Sequence, residues 1–305
     1  MRVVIIGGTG FIGSHLSDAL LAKWKSDVLV LDNLSTSDRK NINSNIEFVK
    51  SDIVNDEITG LLNSAEVVFH FAADPNVKES ATTQKTNFEL NVRGTFNVLE
   101  ACRKADVKNV IFASTSAVYG TAKVIPTPEI HPAFPISNYG ASKLAGEAYC
   151  SSFAHTYNMR CTVLRLANIF GERSRCGVMF DFYKKLKKNQ KKLEILGNGK
   201  QNKSYLYISD CISAILTVFE KQSKIFDIFN VGSEERHTVD EIAELIAKSM
   251  NLAPKFEYTG ESGGWIGDIT DMLLDIRKIK SFGWRPKISF AEGIKRYVNW
   301  LKIKM

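Results

Sequence analysis

Seven residues near the N-terminus, Gly7-Gly8-Thr9-Gly10-Phe11-Ile12-Gly13, restrict this chain more than any other stretch. They come directly after a short β-branched run, Arg2 to Ile6. They open a segment, Phe11 to Lys23, in which Phe11, Ile12, Leu16, Ala19 and Leu20 share one helical face. Gly7, Gly10 and Gly13 therefore form a GxxGxxG turn between a strand and a helix. Glycine permits a tight turn and lets a pyrophosphate touch bare backbone. The helix N-terminus adds unpaired N–H groups and a favourable dipole. A plain strand–helix junction also favours glycine, so the turn gains meaning from the residues downstream of it. Asp32 ends the next strand, Val28 to Leu31, where an acid accepts hydrogen bonds from an adenosine ribose. Its charge disfavours a 2′-phosphate, so NAD is expected over NADP, with Arg39 nearby to soften the choice. Asp52 and Ile53, after a third strand, are expected to border the adenine.

Further buried-strand patterns recur at Ile46 to Val49, Val67 to Phe71, Val110 to Ala113 and Thr162 to Leu166, with helical segments near 86–104 and 138–157 between the later ones. Strands buried on both faces and alternating with helices predict an α/β fold: a Rossmann-like, doubly wound parallel sheet with right-handed crossovers. The remainder is less regular, with helices near 209–221 and 238–250, a strand at Phe226 to Val231, and glycine turns at Gly197-Asn198-Gly199 and Gly263-Gly264. The expected division is a cofactor domain over 1–167, to which 206–232 returns. A smaller mixed α/β substrate domain is expected over 168–205 and 233–305.

Composition excludes several classes. Apolar residues are 44% and charged residues 24%, which is ordinary globular usage. No apolar run approaches the roughly 20 residues of a membrane span, and no membrane partner is expected. Val3 to Ile6 is too short for a signal-peptide core. Five scattered cysteines (Cys102, Cys150, Cys161, Cys176, Cys211) show no zinc spacing, so no metal is expected, and free thiols suit a cytoplasmic protein. The net charge is +7, concentrated at Lys184, Lys185, Lys187, Lys188, Lys191 and Lys192. Phe182 and Leu186 give that helix a buried side, so the lysines read as a solvated face, with no nucleic-acid partner.

Tyr139-Gly-Ala-Ser-Lys143 places a phenol and an amine on one helical face. A free tyrosine, with a pKa of about 10, is a poor base at neutral pH. An adjacent ammonium favours the phenolate, so the pair is expected to exchange a proton with a substrate hydroxyl. Upstream, Ser114, Thr115 and Ser116 leave a strand end, where ligands of parallel sheets bind. Any of the three hydroxyls suits the same substrate oxygen.

Together these motifs resemble the extended short-chain dehydrogenase/reductase family, in its NAD-dependent epimerase/dehydratase branch, and most nearly its nucleotide-sugar 4-epimerases. His70-Phe-Ala-Ala73, Asn91-Val-Arg-Gly-Thr95, Ser114-Thr-Ser-Ala-Val-Tyr-Gly120, Leu164-Arg-Leu-Ala-Asn168, Tyr205-Leu-Tyr-Ile-Ser-Asp210, Asn230-Val-Gly232, Gly267-Asp268 and Gly283-Trp-Arg-Pro286 fall in family order. The resemblance implies Thr115 as the catalytic hydroxyl, Tyr139 as acid/base and Lys143 as its partner. It implies NAD held by Gly7, Gly10, Phe11, Ile12, Gly13, Asp32, Asn33, Leu34, Ser35, Asp52, Ile53, Phe71, Ala72, Ala73, Asn91 and Ser114, together with Tyr139 and Lys143. It implies a nucleotide sugar, UDP-hexose above all, held by Thr115, Ser116, Tyr139, Asn168, Val178, Lys203 and Asp268. It also implies a homodimer formed through the outer faces of the 86–104 and 138–157 helices.

The two residues after Thr115 are Ser116 and Ala117, where dehydratases of the family carry an acid, so epimerisation through a transient 4-keto sugar is expected. UDP-glucuronate or UDP-N-acetylhexosamine epimerisation and 4-keto-sugar reduction stay open. So does an NAD-sensing binding protein, a role in which the Tyr or Lys is commonly lost. Three positions depart from the pattern. Lys203 and Trp265 stand where diphosphate-binding arginines are usual, and Pro75 replaces a lysine, with Arg173 and Arg175 as compensating charges. His15, His70, Trp284 and Trp300 read as core.

Overall fold

A computed structural model describes residues 1–24, 27–77, 79–82, 84–260, 264 and 267–305. Gly263 and Trp265 lie outside the described residues.

The main sheet comprises β1 (Arg2–Ile6), β2 (Asp27–Asp32), β3 (Glu47–Lys50), β4 (Val67–His70), β5 (Asn109–Thr115), β6 (Arg160–Leu166) and a later strand, Phe226–Val231. Its order is β3-β2-β1-β4-β5-β6 with Phe226–Val231 at the far edge, and every pairing is parallel. In β1, Val3 and Ile5 enter one core while Val4 and Ile6 enter another on the opposite face. That two-sided burial explains the unbroken apolar run and the parallel arrangement.

α1 (Phe11–Trp24) covers the first face, with Leu16 and Leu20 fully buried. The second face is covered by the 84–104 region and by a long helix. The 84–104 region comprises α2 (Gln84–Asn87), a π-helical turn Phe88–Arg93 and α3 (Gly94–Lys104). The spacing predicted one continuous helix there; the wide turn surrounds buried Asn91. α4 (Asn138–Tyr157) starts on a Ser137 cap, which accepts the Gly140 N–H at 3.1 Å, and ends on Asn158 at φ 53°. It packs close to β5, since a Cβ on Gly146 would lie 2.6 Å from the Phe112 ring.

The remaining elements are α5 (Val178–Lys188), α6 (Ile208–Lys221), α7 (Val239–Ser249), α8 (Arg277–Ser281), α9 (Phe290–Lys304) and small sheets built from short strands. Asn168–Phe170 pairs in parallel with Tyr205–Tyr207, and Lys192–Ile195 with Lys255–Tyr258. α9 was not singled out from the sequence, although Phe290, Ile294, Tyr297, Val298 and Leu301 carry a helical spacing and are buried. Trp284 is buried and donates to the Ser213 hydroxyl at 2.8 Å, whereas Trp300 is half-buried.

Asp210 fastens this region to the rest. It is 3% exposed, and one oxygen accepts the N–H groups of Lys287 and Ile288 at 2.9 and 2.8 Å. Asp210→Ala leaves both without that partner, and each unsatisfied group costs about 1–3 kcal/mol. The expected outcome is a loss on the order of 3 kcal/mol in urea unfolding.

Candidate active site

The chain order reverses between β1 and β4, and this is where an open parallel sheet leaves a crevice beyond its strand ends. The Ile6 carbonyl accepts the N–H groups of Phe71 and Ala72 at 2.8 and 3.0 Å, joining the two strand ends. Gly7 has φ 80°, and a Cβ there would lie 2.4 Å from the Ala72 nitrogen. A Cβ on Gly13 would lie 2.4 Å from the Gly7 oxygen. The crevice floor is thus bare backbone. The open cleft above it brings together Gly7, Gly10, Asp32, Asn33, Ser35, Ile53, Phe71, Ala72 and Ala73. Phe11 and Ile12 open α1 beside it.

Asp32 is held at the cleft edge. Its oxygens accept the Thr9 N–H at 3.1 Å, the Leu34 N–H at 2.9 Å and the Ser37 hydroxyl at 3.3 Å. Leu34 adopts φ 59° to make that turn. The Ser35 N–H turns back onto the Asn33 side chain at 3.0 Å. Arg39 donates to the carbonyls of Ile42, Asn43, Ser44 and Ile46 and stacks on Phe48. The residue expected to soften cofactor choice is therefore tied to its own loop. Asp52 accepts the Val54 N–H at 2.8 Å and faces the Asn33 amide at 3.5 Å. Ser37, Ser51 and Leu90 also line the cleft. Sequence reasoning missed them because no motif marks them.

These features fit a dinucleotide: a helix N-terminus over a floor without side chains, and a carboxylate at the end of β2. Two expected cofactor residues have their side chains engaged inside the protein. Asn91 accepts the Asp74 N–H at 2.8 Å and donates to the Asp74 carbonyl and the Ser142 hydroxyl. It shapes the segment after β4. The Ser114 hydroxyl donates to buried Glu147.

Tyr139 and Lys143 stand one turn apart on α4. Thr115 ends β5 and caps the turn Ser116–Tyr119, accepting the Ala117 N–H at 3.1 Å. Of the hydroxyls at this strand end, that of Thr115 acts on the Tyr139 phenol and favours its ionised form. Burial outweighs it and pushes the phenol up to about 12, with Asp74 and Cys176 adding to the rise. Lys143 is 2% exposed, with its ammonium 4.2 Å from the Phe112 ring centroid. Burial brings it down to about 8, opposed by Cys150 and Glu147. The sequence expectation that the amine lowers the phenol is thus not met by the protein alone, because burial acts on both groups at once.

His70 is buried and brought down to about 3, first by burial and then by Lys143. The Thr95 hydroxyl lies 2.9 Å from its Nε2. His15 is also lowered, mainly by burial, with its Nε2 2.9 Å from the Glu172 carbonyl. Neither ring carries a charge at neutral pH.

The remaining expected substrate residues come later in the chain. The Asn168 amide donates to the Ser204 carbonyl at 3.0 Å, and Val178 begins α5 after Gly177. Lys203 pairs with Asp268 at 2.6 Å, and the second Asp268 oxygen accepts the Gly264 N–H at 2.9 Å. Arg173 pairs with Asp18 of α1 at 2.6 Å, while Arg175 is exposed and Pro75 carries no charge. Among the described residues no cluster of metal-ligating side chains occurs.

A parallel sheet with a glycine cradle at its switch point and a Tyr–Lys pair beyond the neighbouring strand defines a dinucleotide-dependent enzyme of the extended short-chain dehydrogenase/reductase kind. Residues 3–232 match the NAD dependent epimerase/dehydratase family, and the chain belongs to it. A putative UDP-glucose 4-epimerase of Methanocaldococcus jannaschii is 37% identical over 307 residues, covering 98% of each chain. A crystallised UDP-galactose 4-epimerase is 41% identical with a TM-score of 0.91, covering 100% of both chains. The Thermus thermophilus UDP-glucose 4-epimerase, solved in complex with NAD, is 33% identical with a TM-score of 0.90 over 99% of each chain. The protein is an NAD-dependent enzyme of the UDP-sugar 4-epimerase type.

Lys143 gives a stability signature with a defined sign. Its folded value, about 8, lies below the ordinary 10.5. The unfolded chain therefore binds more protons between those limits, and stability rises with pH across them. Lys143→Met removes this penalty. The variant is expected to be more stable than the parent at pH 7 by on the order of 3 kcal/mol, with the gap closing above about pH 8. Urea unfolding across pH measures it; a gap that does not change with pH refutes it.

Proposed function

We propose that this enzyme interconverts UDP-glucose and UDP-galactose by inverting C4 of the hexose. The observation that carries the reading is Thr115 at the end of β5 acting on the Tyr139 phenol, with Lys143 one turn on, beyond the cradle that suits NAD.

In this reading the Tyr139 oxygen takes the C4 hydroxyl proton and later returns it, while the Thr115 hydroxyl steadies the phenolate and the same sugar oxygen. NAD, when bound, supplies the hydride acceptor and donor at C4 and a positive ring charge near the phenol. Lys143 orients the ribose edge of the cofactor site and adds positive charge below about pH 8. Asp32 takes the adenosine ribose, with Gly7, Gly10 and Gly13 under the pyrophosphate. Asn168, Val178, Lys203 and Asp268 hold the nucleotide end of the substrate. Lysine at 203 keeps the charge of the usual arginine without its bidentate fork. The cofactor part comprises 1–167 with the returning 206–232, and the substrate part 168–205 and 233–305.

We also propose a cytoplasmic homodimer. Phe88, Phe96, Tyr149 and Tyr157 are exposed on the 84–104 region and α4, and pairing of these faces would cover them. Light scattering tests the dimer.

UDP-galactose is expected to convert to UDP-glucose without net release of NADH. Tyr139→Phe is expected to lower kcat by about 10²–10⁴-fold with NAD still bound. Full activity in that variant would remove the proton-transfer assignment. A panel with UDP-glucuronate and UDP-N-acetylhexosamines ranks the sugars.

A further inference from the structure

Beneath Lys143 lies a second charged group that proton transfer at Tyr139 does not by itself require. Glu147 stands one turn beyond Lys143 and two beyond Tyr139, on the buried face of α4. The Glu147 and Arg165 side chains are 4% and 5% exposed and lie 2.6 Å apart. Arg165 engages Glu147 through Nε and Nη2, donates from Nη1 to the Glu129 carbonyl at 3.1 Å, and lies over the Tyr119 ring at 4.7 Å. The Ser114 hydroxyl donates to the same carboxylate, and Ser114 immediately precedes Thr115.

A buried ion pair is weak evidence of stabilisation, because apolar side chains of similar volume often serve as well. The charge count here suggests another purpose. Lys143 and Arg165 are cations and Glu147 is the anion, so the group carries one net positive charge. A phenolate at Tyr139 balances it. Without the Glu147 charge, two buried cations remain. Arg165 does not lose its proton, so Lys143 must lose its own.

We propose that Glu147 is a positioning residue for the Tyr139–Lys143 pair. Anchored by Arg165, its carboxylate fixes the Ser114–Thr115 strand end and supplies the negative charge that keeps Lys143 an ammonium. The other titratable groups facing Lys143 are His70 from β4 and Cys150 from α4, with the free thiol of Cys161 of β6 acting on Cys150. His70 is neutral, and Cys150 is pushed well up by Cys161 and by burial. Glu147 is therefore the anion acting on Lys143 from this face. The inference rests on reading Tyr139 and Lys143 as the proton-transfer pair.

The test is urea unfolding of Glu147→Gln and the parent across pH, with epimerisation kinetics alongside. The variant is expected to be less stable, with a deficit that is largest at mildly acidic to neutral pH, where the parent's Glu147 is ionised, and shrinks as pH rises toward about 8. The cause is that its Lys143 sheds the proton at lower pH than in the parent. At neutral pH, kcat is expected to fall at least about tenfold, with KM within about twofold. A deficit that is flat through that window means Glu147 only fills the core, and the proposal fails.

Ser114→Ala guards against a Glu147→Gln variant that does not fold. It keeps both charges and is expected to lower kcat several-fold with the parental pH dependence; a parental kcat overturns the proposal. Tyr139→Phe separates the two readings. Activity kept in that variant defeats proton transfer by Tyr139, whereas activity lost there beside a flat Glu147→Gln deficit defeats only the role of Glu147.

Discussion

The Ile6 carbonyl accepts two backbone N–H groups from the end of β4, and a Cβ on Gly7 would collide with the backbone beside them. This junction fixes where the crevice opens. Strands running outward through β2 and β3 leave one side, and strands returning through β4 and β5 leave the other. The glycine cradle, the Phe71–Ala73 segment and the β5 strand end then face one space. A side chain at Gly7 would push the two strand ends apart before it met any ligand. The glycine therefore serves the sheet as much as the cofactor.

Burial governs the reacting end as firmly as sterics governs the junction. Burial pushes both Tyr139 and Lys143 toward their neutral forms. A neutral phenol next to a marginal ammonium is stable but inert. Thr115 shifts the balance by favouring the ionised phenol, and Glu147 shifts it by opposing the loss of charge at Lys143. The protein alone thus leaves the phenol protonated at neutral pH. In the proposed reaction it would hold polar groups in place for an anion that forms when further positive charge arrives, which is how preorganised polar groups favour a transition state over a ground state.

Much of this was legible in the sequence, and the exceptions have physical causes. The two-sided strands announced a parallel sheet because no other arrangement buries Val3 through Ile6 so completely. The placement of Gly7, Asp32, Tyr139 and Lys143 was readable because it follows from local spacing. Asn91 and Ser114 were assigned to cofactor, yet their polar atoms close onto Asp74, Ser142 and Glu147. A side chain's direction depends on contacts between distant segments, which spacing does not encode. The π-helical turn around Asn91 was hidden for the same reason. Arg165 lay inside a motif already noticed and Glu147 four residues beyond another, but their pairing joins α4 to β6 and has no local signature.

The turn Ser116–Tyr119 bears on why the proposed reaction would reverse rather than run on. Ala117 is 8% exposed, and a Cβ on Gly140 would lie 2.7 Å from its carbonyl, so α4 sits tightly on this turn. The Ala117 N–H is taken by Thr115, and Val118 and Tyr119 are buried behind it. A carboxylate at 117 would have to be desolvated, and an unpaired buried charge is costly. With alanine there, no base stands in this turn to remove a proton from the carbon beside a 4-keto group. The path that then remains for such an intermediate is return of hydride and proton to C4. On this argument, two small residues after Thr115 separate epimerisation from elimination, while leaving the proton-transfer pair unchanged.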